Sequence, residues 1–182
     1  MKSNKLLLVC CSIGLLAASC TSSKKAGHSG DSPSLKEVFK KDFVMGTAVN
    51  TGQIEEKDPA AAALIEAQFN GLTPENIMKC EIIHPEWDRY DFTLADKLVD
   101  YGKKINAPVY GHTLIWHSQL SPFIRKIQST DSFRTFFTNH ITTIAARYDG
   151  KIKSWDVVNE ALNEDGTLRK SVFLEKLGED YI

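Results

Sequence analysis

The sequence has 182 residues, of which 42% are hydrophobic and 25% are charged, so one globular domain with a substantial core is expected. The formal net charge is −1 and no cluster of lysine and arginine lies in the part expected to fold, which argues against a nucleic-acid-binding surface. Outside the first 20 residues Cys80 is the only cysteine, so no internal disulfide bond and no C-x-x-C metal site are expected.

The N-terminus has the pattern of an export signal. Lys2 and Lys5 precede an apolar stretch, LLLVCCSIGLLAAS, that is too short to span a bilayer with ease. Its end, AASC, resembles a bacterial lipoprotein signal, although such signals more often carry leucine where Ala17 stands. The pattern predicts a signal peptide over 1–19 and a lipid on Cys20. The protein would then be anchored in the bacterial cell envelope, in the periplasm or at the cell surface. A plain secretory signal is the alternative.

A flexible tether is predicted over residues 20–35, because small polar residues, Ser and Gly dominate there. Regular structure is expected from residue 36 onward. A strand over 43–50 is followed by a helix over 58–69, with Asp58 as the N-cap and Pro59 as the first helical residue. A short strand near FNGL (69–72) comes next, and then a helical turn opened by Thr73 and Pro74.

The remaining sequence repeats the alternation of strand and helix. Its spacing predicts a helix over 93–105, a strand over 108–116, a helix over 131–148, a strand over 152–159 and a helix that begins at 168. This order predicts parallel strands covered by helices, either as a doubly wound open sheet or as the first half of a (β/α)8 barrel. No phosphate-binding glycine motif follows the first strand, so a nucleotide cofactor is not expected. Polar residues at the carboxyl ends of the strands favour the barrel.

The third strand ends in GHTLIWHSQLSPF (111–123), which contains two histidines. His112 and His117 are five residues apart and therefore lie on opposite faces of a regular strand, which argues against one shared metal ion. His112 and Trp116 are four apart and share a face. An aromatic plane beside a hydrogen-bonding ring suits a sugar, while a core tryptophan beside a satisfied histidine is the alternative.

Two further segments place polar side chains at strand ends. In LTPENIMK (72–79), Glu75 and Lys79 are spaced for a helical ion pair, yet with Asn76 they would also stand on the functional rim of a barrel. In SWDVVNEAL (154–162), a strand runs directly into Asn159 and Glu160. The apolar neighbours of Glu160, at 155, 157 and 158, are expected to bury its carboxyl in part and favour the protonated form. Such a group can protonate a leaving oxygen.

Together, FNGLTPENIMK, GHTLIWHSQ and WDVVNEAL resemble glycoside hydrolase family 10, the retaining endo-β-1,4-xylanases, over residues 36–182. The resemblance implies a (β/α)8 TIM barrel that hydrolyses internal β-1,4-xylosidic bonds in xylan, with Glu160 as the general acid/base. It further implies that substrate is bound by residues from three segments: Glu75, Asn76, Lys79, His112, Trp116, Gln119 and Asn159. Xylan or xylo-oligosaccharides are therefore the expected binding partners.

Two features depart from the family pattern. Cys80 stands where the family often has tryptophan, and no Thr-Glu-(apolar)-Asp motif for the family's nucleophile occurs in the sequence. Only the first four βα units are predicted, so we expect the N-terminal half of a xylanase barrel, inactive alone. Two alternatives are a non-catalytic lipoprotein that binds xylan and a half-barrel completed by a separate C-terminal half.

Overall fold

A computed structural model describes residues 32–182, and these form one four-stranded parallel sheet. The strands are β1 (Gly46–Val49), β2 (Gly71–Pro74), β3 (Val109–Trp116) and β4 (Ile152–Asn159), paired in the order β1-β2-β3-β4. The helices are α1 (Leu35–Val38), α2 (Thr51–Ile54), α3 (Pro59–Gln68), α4 (Cys80–Ile83), α5 (Thr93–Lys104), α6 (Thr130–Arg147) and α7 (Val172–Leu177), with 3-10 turns at Ile124–Lys126 and Glu179–Tyr181. None of the helices in this part of the chain is long and apolar enough to cross a membrane.

The succession β1-α3, β2-α5, β3-α6, β4-α7 is that of the first four units of a (β/α)8 barrel, as predicted. Local signals explain the start of α3, since Asp58 Oδ1 accepts hydrogen bonds from the backbone N–H groups of Ala60 and Ala61, and Pro59 is the first helical residue. The predicted signal peptide, Cys20 and most of the tether lie outside the described residues. Leu35, the last residue assigned to the tether, already begins α1.

The core lies between the sheet and the helices, where α5 packs on β2 and β3 and α6 packs on β3. Leu72, Val109 and Ile115 of the strands are buried against Leu98 of α5 and Ile144 of α6. These apolar faces remove a large area from water, which is the main stabilising contribution to such a layered fold. This packing holds the four strands in a parallel register, so their carboxyl ends lie along one edge of the sheet.

Gly111 allows β3 and β4 to approach each other closely. It pairs with Trp155 in the sheet, and the indole of Trp155 covers the position that a side chain at 111 would take. A Cβ atom there would lie 2.1 Å from Trp155 Cε3. The strand therefore requires glycine at this point because a close approach of side chain to backbone leaves no room for a methyl group.

Two predicted helices differ from those observed. Thr73 and Pro74 belong to β2 and do not open a helical turn, because Glu75 N donates to Val49 O at 2.9 Å and continues the sheet. The short helix α4 begins only at Cys80. The last helix begins at Val172 rather than at 168. Ser171 Oγ caps this start by accepting a hydrogen bond from Leu174 N at 3.2 Å.

A pair of histidines is buried outside the sheet. The Nδ1 atoms of His84 and His140 lie 3.0 Å apart, and their Nε2 atoms face the carbonyl oxygens of Trp87 and Leu114. Both rings are at most 2% exposed. Burial penalises the charged imidazolium, so it lowers the pKa of both rings, that of His140 to about 3. The pair links the segment after α4 to α6 and, through Leu114, to β3.

Candidate active site

The carboxyl ends of β2, β3 and β4 bring the predicted polar residues to one edge of the sheet. The parallel register places Val49 beside Pro74 and Trp116 beside Asn159, so the segments that follow these strands emerge side by side. Side-chain hydrogen bonds or ring contacts connect five of the predicted site residues: Asn76, Lys79, Trp116, Gln119 and Glu160. Asn159 ends β4 beside them, and Glu75 follows β2 with an exposed side chain.

Glu160 is held at both its side chain and its backbone. Trp116 Nε1 donates to Glu160 Oε2 at 2.9 Å, and Arg169 Nε donates to the main-chain oxygen of Glu160 at 3.0 Å. Its φ of 51° lies in the left-handed region, which is uncommon for a residue other than glycine. This turn of the backbone directs the carboxyl away from the run of β4, toward the indole of Trp116.

The expected burial of Glu160 by its apolar neighbours is wrong. The side chain of Glu160 is 48% exposed, and so is Val157. Trp155 lies over Gly111 and near Tyr148 instead of beside the carboxyl. Neighbours in the sequence were a poor guide for two reasons. Successive residues of a strand point to opposite faces, and Glu160 lies just beyond the end of β4, where the backbone turns.

Asn76 is the centre of a polar cluster at the end of β2. Its Oδ1 accepts from Lys79 Nζ at 2.9 Å and from Gln119 Nε2 at 3.2 Å. The ammonium of Lys79 also lies 4.5 Å from the centre of the Trp116 ring, which is within the range of a cation–π contact. The helical ion pair between Glu75 and Lys79, one of the two sequence interpretations, is absent from this cluster. Asn76 Nδ2 is left to donate to a ligand.

His112 makes a defined contact with Asp156 on the neighbouring strand. His112 Nδ1 lies 2.8 Å from Asp156 Oδ2, and because an ionised carboxylate only accepts, Nδ1 carries the proton. In the neutral ring, Nε2 is then an acceptor. His117 behaves differently: its Nε2 lies 3.8 Å from Glu160 Oε2. No set of three or more His, Cys, Asp or Glu residues within 32–182 is arranged to hold a metal ion.

Sequence reasoning missed three residues that support this site. Asp156 could have been found, because it lies in β4, the strand that leads into Asn159 and Glu160. Glu81 accepts from Gln119 Nε2 at 3.0 Å, and Arg169 binds the backbone of Glu160 from nine residues away. These last two contacts depend on how the connecting segments fold, and no local sequence pattern predicts them.

Comparison with known proteins assigns the family. Residues 34–182 match the model of glycosyl hydrolase family 10. The chain is 41% identical over 155 residues to endo-1,4-beta-xylanase A of Xylanibacter ruminicola, a match that covers 82% of this chain and 42% of that protein. It is 37% identical over 179 residues to the beta-1,4-xylanase of Dictyoglomus thermophilum, covering 97% of this chain and 47% of that protein.

Solved structures agree with this assignment. Xylanase 10B from Thermotoga petrophila, in complex with xylobiose, matches with a TM-score of 0.77 and 37% identity over 82% of this chain and 47% of that one. An endoxylanase from a sugarcane soil metagenome matches with a TM-score of 0.75 and 38% identity, over 81% of this chain and 44% of that one. The chain thus spans about half the length of the relatives it matches. Its fold is that of the first four units of a (β/α)8 barrel, and the chain belongs to glycosyl hydrolase family 10.

Proposed function

We propose that this chain supplies the acid/base half of a retaining endo-1,4-β-xylanase, with Glu160 as the general acid/base. The observation that carries the proposal is the position of Glu160 at the carboxyl end of β4, where Trp116 Nε1 binds its Oε2 at 2.9 Å. In the first step the Glu160 carboxyl gives a proton to the leaving glycosidic oxygen. In the second step its carboxylate takes a proton from the attacking water.

The neighbouring side chains would bind the sugar on the glycone side of the bond. Asn76 Oδ1 already accepts from Lys79 and Gln119, so its Nδ2 is free to donate to a xylose hydroxyl. His112, oriented by Asp156, offers Nε2 as an acceptor for another hydroxyl. In the same proposal Trp116 contributes a ring face, while Glu75 and Asn159 accept and donate hydrogen bonds at the sugar's rim. This donor and acceptor pattern suits a neutral polyol.

Retaining hydrolysis also needs a nucleophilic carboxyl about 5–5.5 Å from the acid/base. The resemblance assigns the nucleophile to a Thr-Glu-(apolar)-Asp motif that this sequence does not contain. In the proposal, that glutamate comes from a C-terminal barrel half, and the 182-residue chain alone binds xylo-oligosaccharides without turnover.

The test joins the chain to the C-terminal half of a family 10 xylanase and follows xylan hydrolysis by proton NMR of the newly formed chain ends. The proposal expects the β-anomer first, because two successive inversions retain configuration. Initial formation of the α-anomer, or a folded barrel without activity, would contradict it. Turnover by the chain alone would refute the assignment of the nucleophile to a second half.

A matched pair of variants tests the binding role of the polar cluster. Gln119→Ala removes the donor that Asn76 and Glu81 share, so it should weaken the binding of xylotriose to the completed barrel by about tenfold. Gln128→Ala removes an exposed amide that donates to the main-chain oxygen of Lys126, and it should leave affinity unchanged. Equal losses in both variants would show that Gln119 has no specific role in binding.

We also propose that the protein is exported and anchored to the membrane by a lipid on Cys20. The support is the order of charged, apolar and small residues before Cys20 in the sequence. The unmutated protein should partition into the detergent phase when expressed in a bacterium, and Cys20→Ser should move it to the aqueous phase. Recovery of the unmutated protein in the aqueous phase would refute the anchor.

A further inference from the structure

A small cavity lies between the segment that follows α4 and the helix α6. It has a volume of about 240 Å³ and is enclosed by the segment after α4 and by one face of α6. Its lining comprises His84, Trp87, Asp88, Tyr90, Phe136, Asn139 and Thr143. None of these residues belongs to the polar cluster around Glu160, so the cavity is separate from the candidate active site.

Trp87 gives this cavity an exposed aromatic surface. Its side chain is 41% exposed, which is unusual for so large an apolar group. The ring has a T-shaped contact with Phe123, at 6.1 Å between ring centres and 80° between planes. A single T-shaped contact covers at most one face of the indole. The exposed part of the ring lines the cavity, where a ligand that presents C–H groups can pack against it.

The base of the cavity is rigid. His84 stacks on Tyr90 at 3.9 Å between ring centres, and its Nε2 bonds to the carbonyl oxygen of Trp87 at 3.1 Å. The second ring nitrogen of His84 faces His140, which in turn is bonded to β3 through Leu114. These contacts hold the backbone of Trp87 in place before any ligand arrives, and such preorganisation lowers the entropic cost of binding.

The polar rim of the cavity matches hydroxyl groups. Asp88 offers a carboxylate and Asn139 an amide, and neither side chain has a hydrogen-bond partner within residues 32–182. Thr143 lies on the same face of α6, and its side chain interacts with the hydroxyl of Tyr90. No lysine or arginine from residues 32–182 lines the cavity, so an anionic ligand would find no counter-charge among them. Acceptors and donors around one aromatic face are the complement of a neutral pyranose ring.

We infer that this cavity is a second carbohydrate site, which holds one sugar ring of a polysaccharide chain against Trp87. The volume is below the roughly 300–1,000 Å³ of pockets that enclose drug-sized ligands, so a single ring fits and a longer segment does not. The identity of the polysaccharide as xylan rests on the proposed function. A chain held at this surface keeps polymer near the candidate active site between cleavage events and raises its effective local concentration.

The experiment measures retention of the full chain on insoluble xylan, with cellulose as the comparison polymer. Trp116→Ala first disables binding at the strand ends, and the inference expects that this variant is still retained. Adding Trp87→Ala should then lower the affinity for xylan about tenfold or more, because a central aromatic contact dominates such small sites. Asn139→Ala, an exposed position on a helix where alanine is well tolerated, should also weaken retention.

Phe43→Ala is the matched control, since Phe43 is 57% exposed but lies before β1, where it stacks on Phe39. It should leave retention unchanged. Loss of all retention in Trp116→Ala, or unchanged retention after both Trp87→Ala and Asn139→Ala, would overturn the inference. The proposed function is tested separately, by the binding of soluble xylotriose to the candidate active site in Trp87→Ala. Absence of that binding would contradict the proposed function and leave the second site untouched.

Discussion

Replacing Gly111 by alanine should destabilise the fold through Trp155. The added Cβ would lie 2.1 Å from Cε3, 2.4 Å from Cζ3 and 2.6 Å from Cδ2 of the indole, whereas relaxed carbon contacts are about 3.5–4.0 Å. All three atoms belong to a rigid ring, so no flexible side-chain end can give way. The indole or the strand must move by more than about 1 Å. Overpacking of this kind costs about 1–3 kcal/mol and occasionally more, and we expect about 3 kcal/mol.

Urea denaturation followed by fluorescence measures this loss, and Gly46→Ala is the control. A Cβ at Gly46 would lie 3.7 Å from the carbonyl oxygen of Gly71, an ordinary contact. Since alanine lowers the entropy of the unfolded chain, Gly46→Ala should be neutral or stabilising by up to about 1 kcal/mol. If Gly111→Ala unfolds at the same urea concentration as Gly46→Ala, the close approach of Trp155 to β3 is refuted.

Two further predictions concern buried titratable groups. Lowering the pH from 7.5 to 5.5 should reduce the free energy of unfolding by about 1 kcal/mol from His140 alone, because burial lowers its pKa to about 3 while the unfolded chain takes up the proton near 6.5. This contribution is complete above pH 6.5 and is lost as the pH falls; equal urea stability at both pH values would contradict it. Cys80 should resist iodoacetamide at pH 8 in the folded chain, since burial raises the pKa of its thiol to about 11. Peptide mapping measures the modification, and rapid labelling without denaturant would show that Cys80 is accessible.

The sequence predicted the strands well because apolar runs between turn residues are a local signal. All four strands lie within or close to the predicted ranges, and the cap at Asp58 confirms the start of α3. Prediction from the sequence was weaker where contacts between distant residues determine the secondary structure. The bond from Glu75 N to Val49 O keeps Thr73 and Pro74 in the sheet, although both residues are common at the start of a helix.

The sequence predicted that Glu160, Trp116 and Asn76 lie near strand ends, and the structure places them at one edge of the sheet. Their contacts were not predictable, because the bond from Trp116 to Glu160 joins residues 44 apart in sequence. The exposure of Glu160 was mistaken because Trp155 covers Gly111 and Val157 is itself half-exposed, so neither buries the carboxyl. Similarly, His84 and His140 are 56 residues apart, and only the packing of α6 against the segment after α4 brings them together.

The central claim is that Glu160 is the general acid/base, and Glu160→Gln in the barrel completed by a family C-terminal half tests it most directly. A glutamine cannot donate the proton, so the cleavage of xylan, whose leaving group is poor, should be abolished. An aryl xyloside with an activated leaving group needs little protonation, so its first step, measured as the burst of released aryl alcohol, should be largely preserved. An equal loss of the first step on both substrates would show that Glu160 is not the acid.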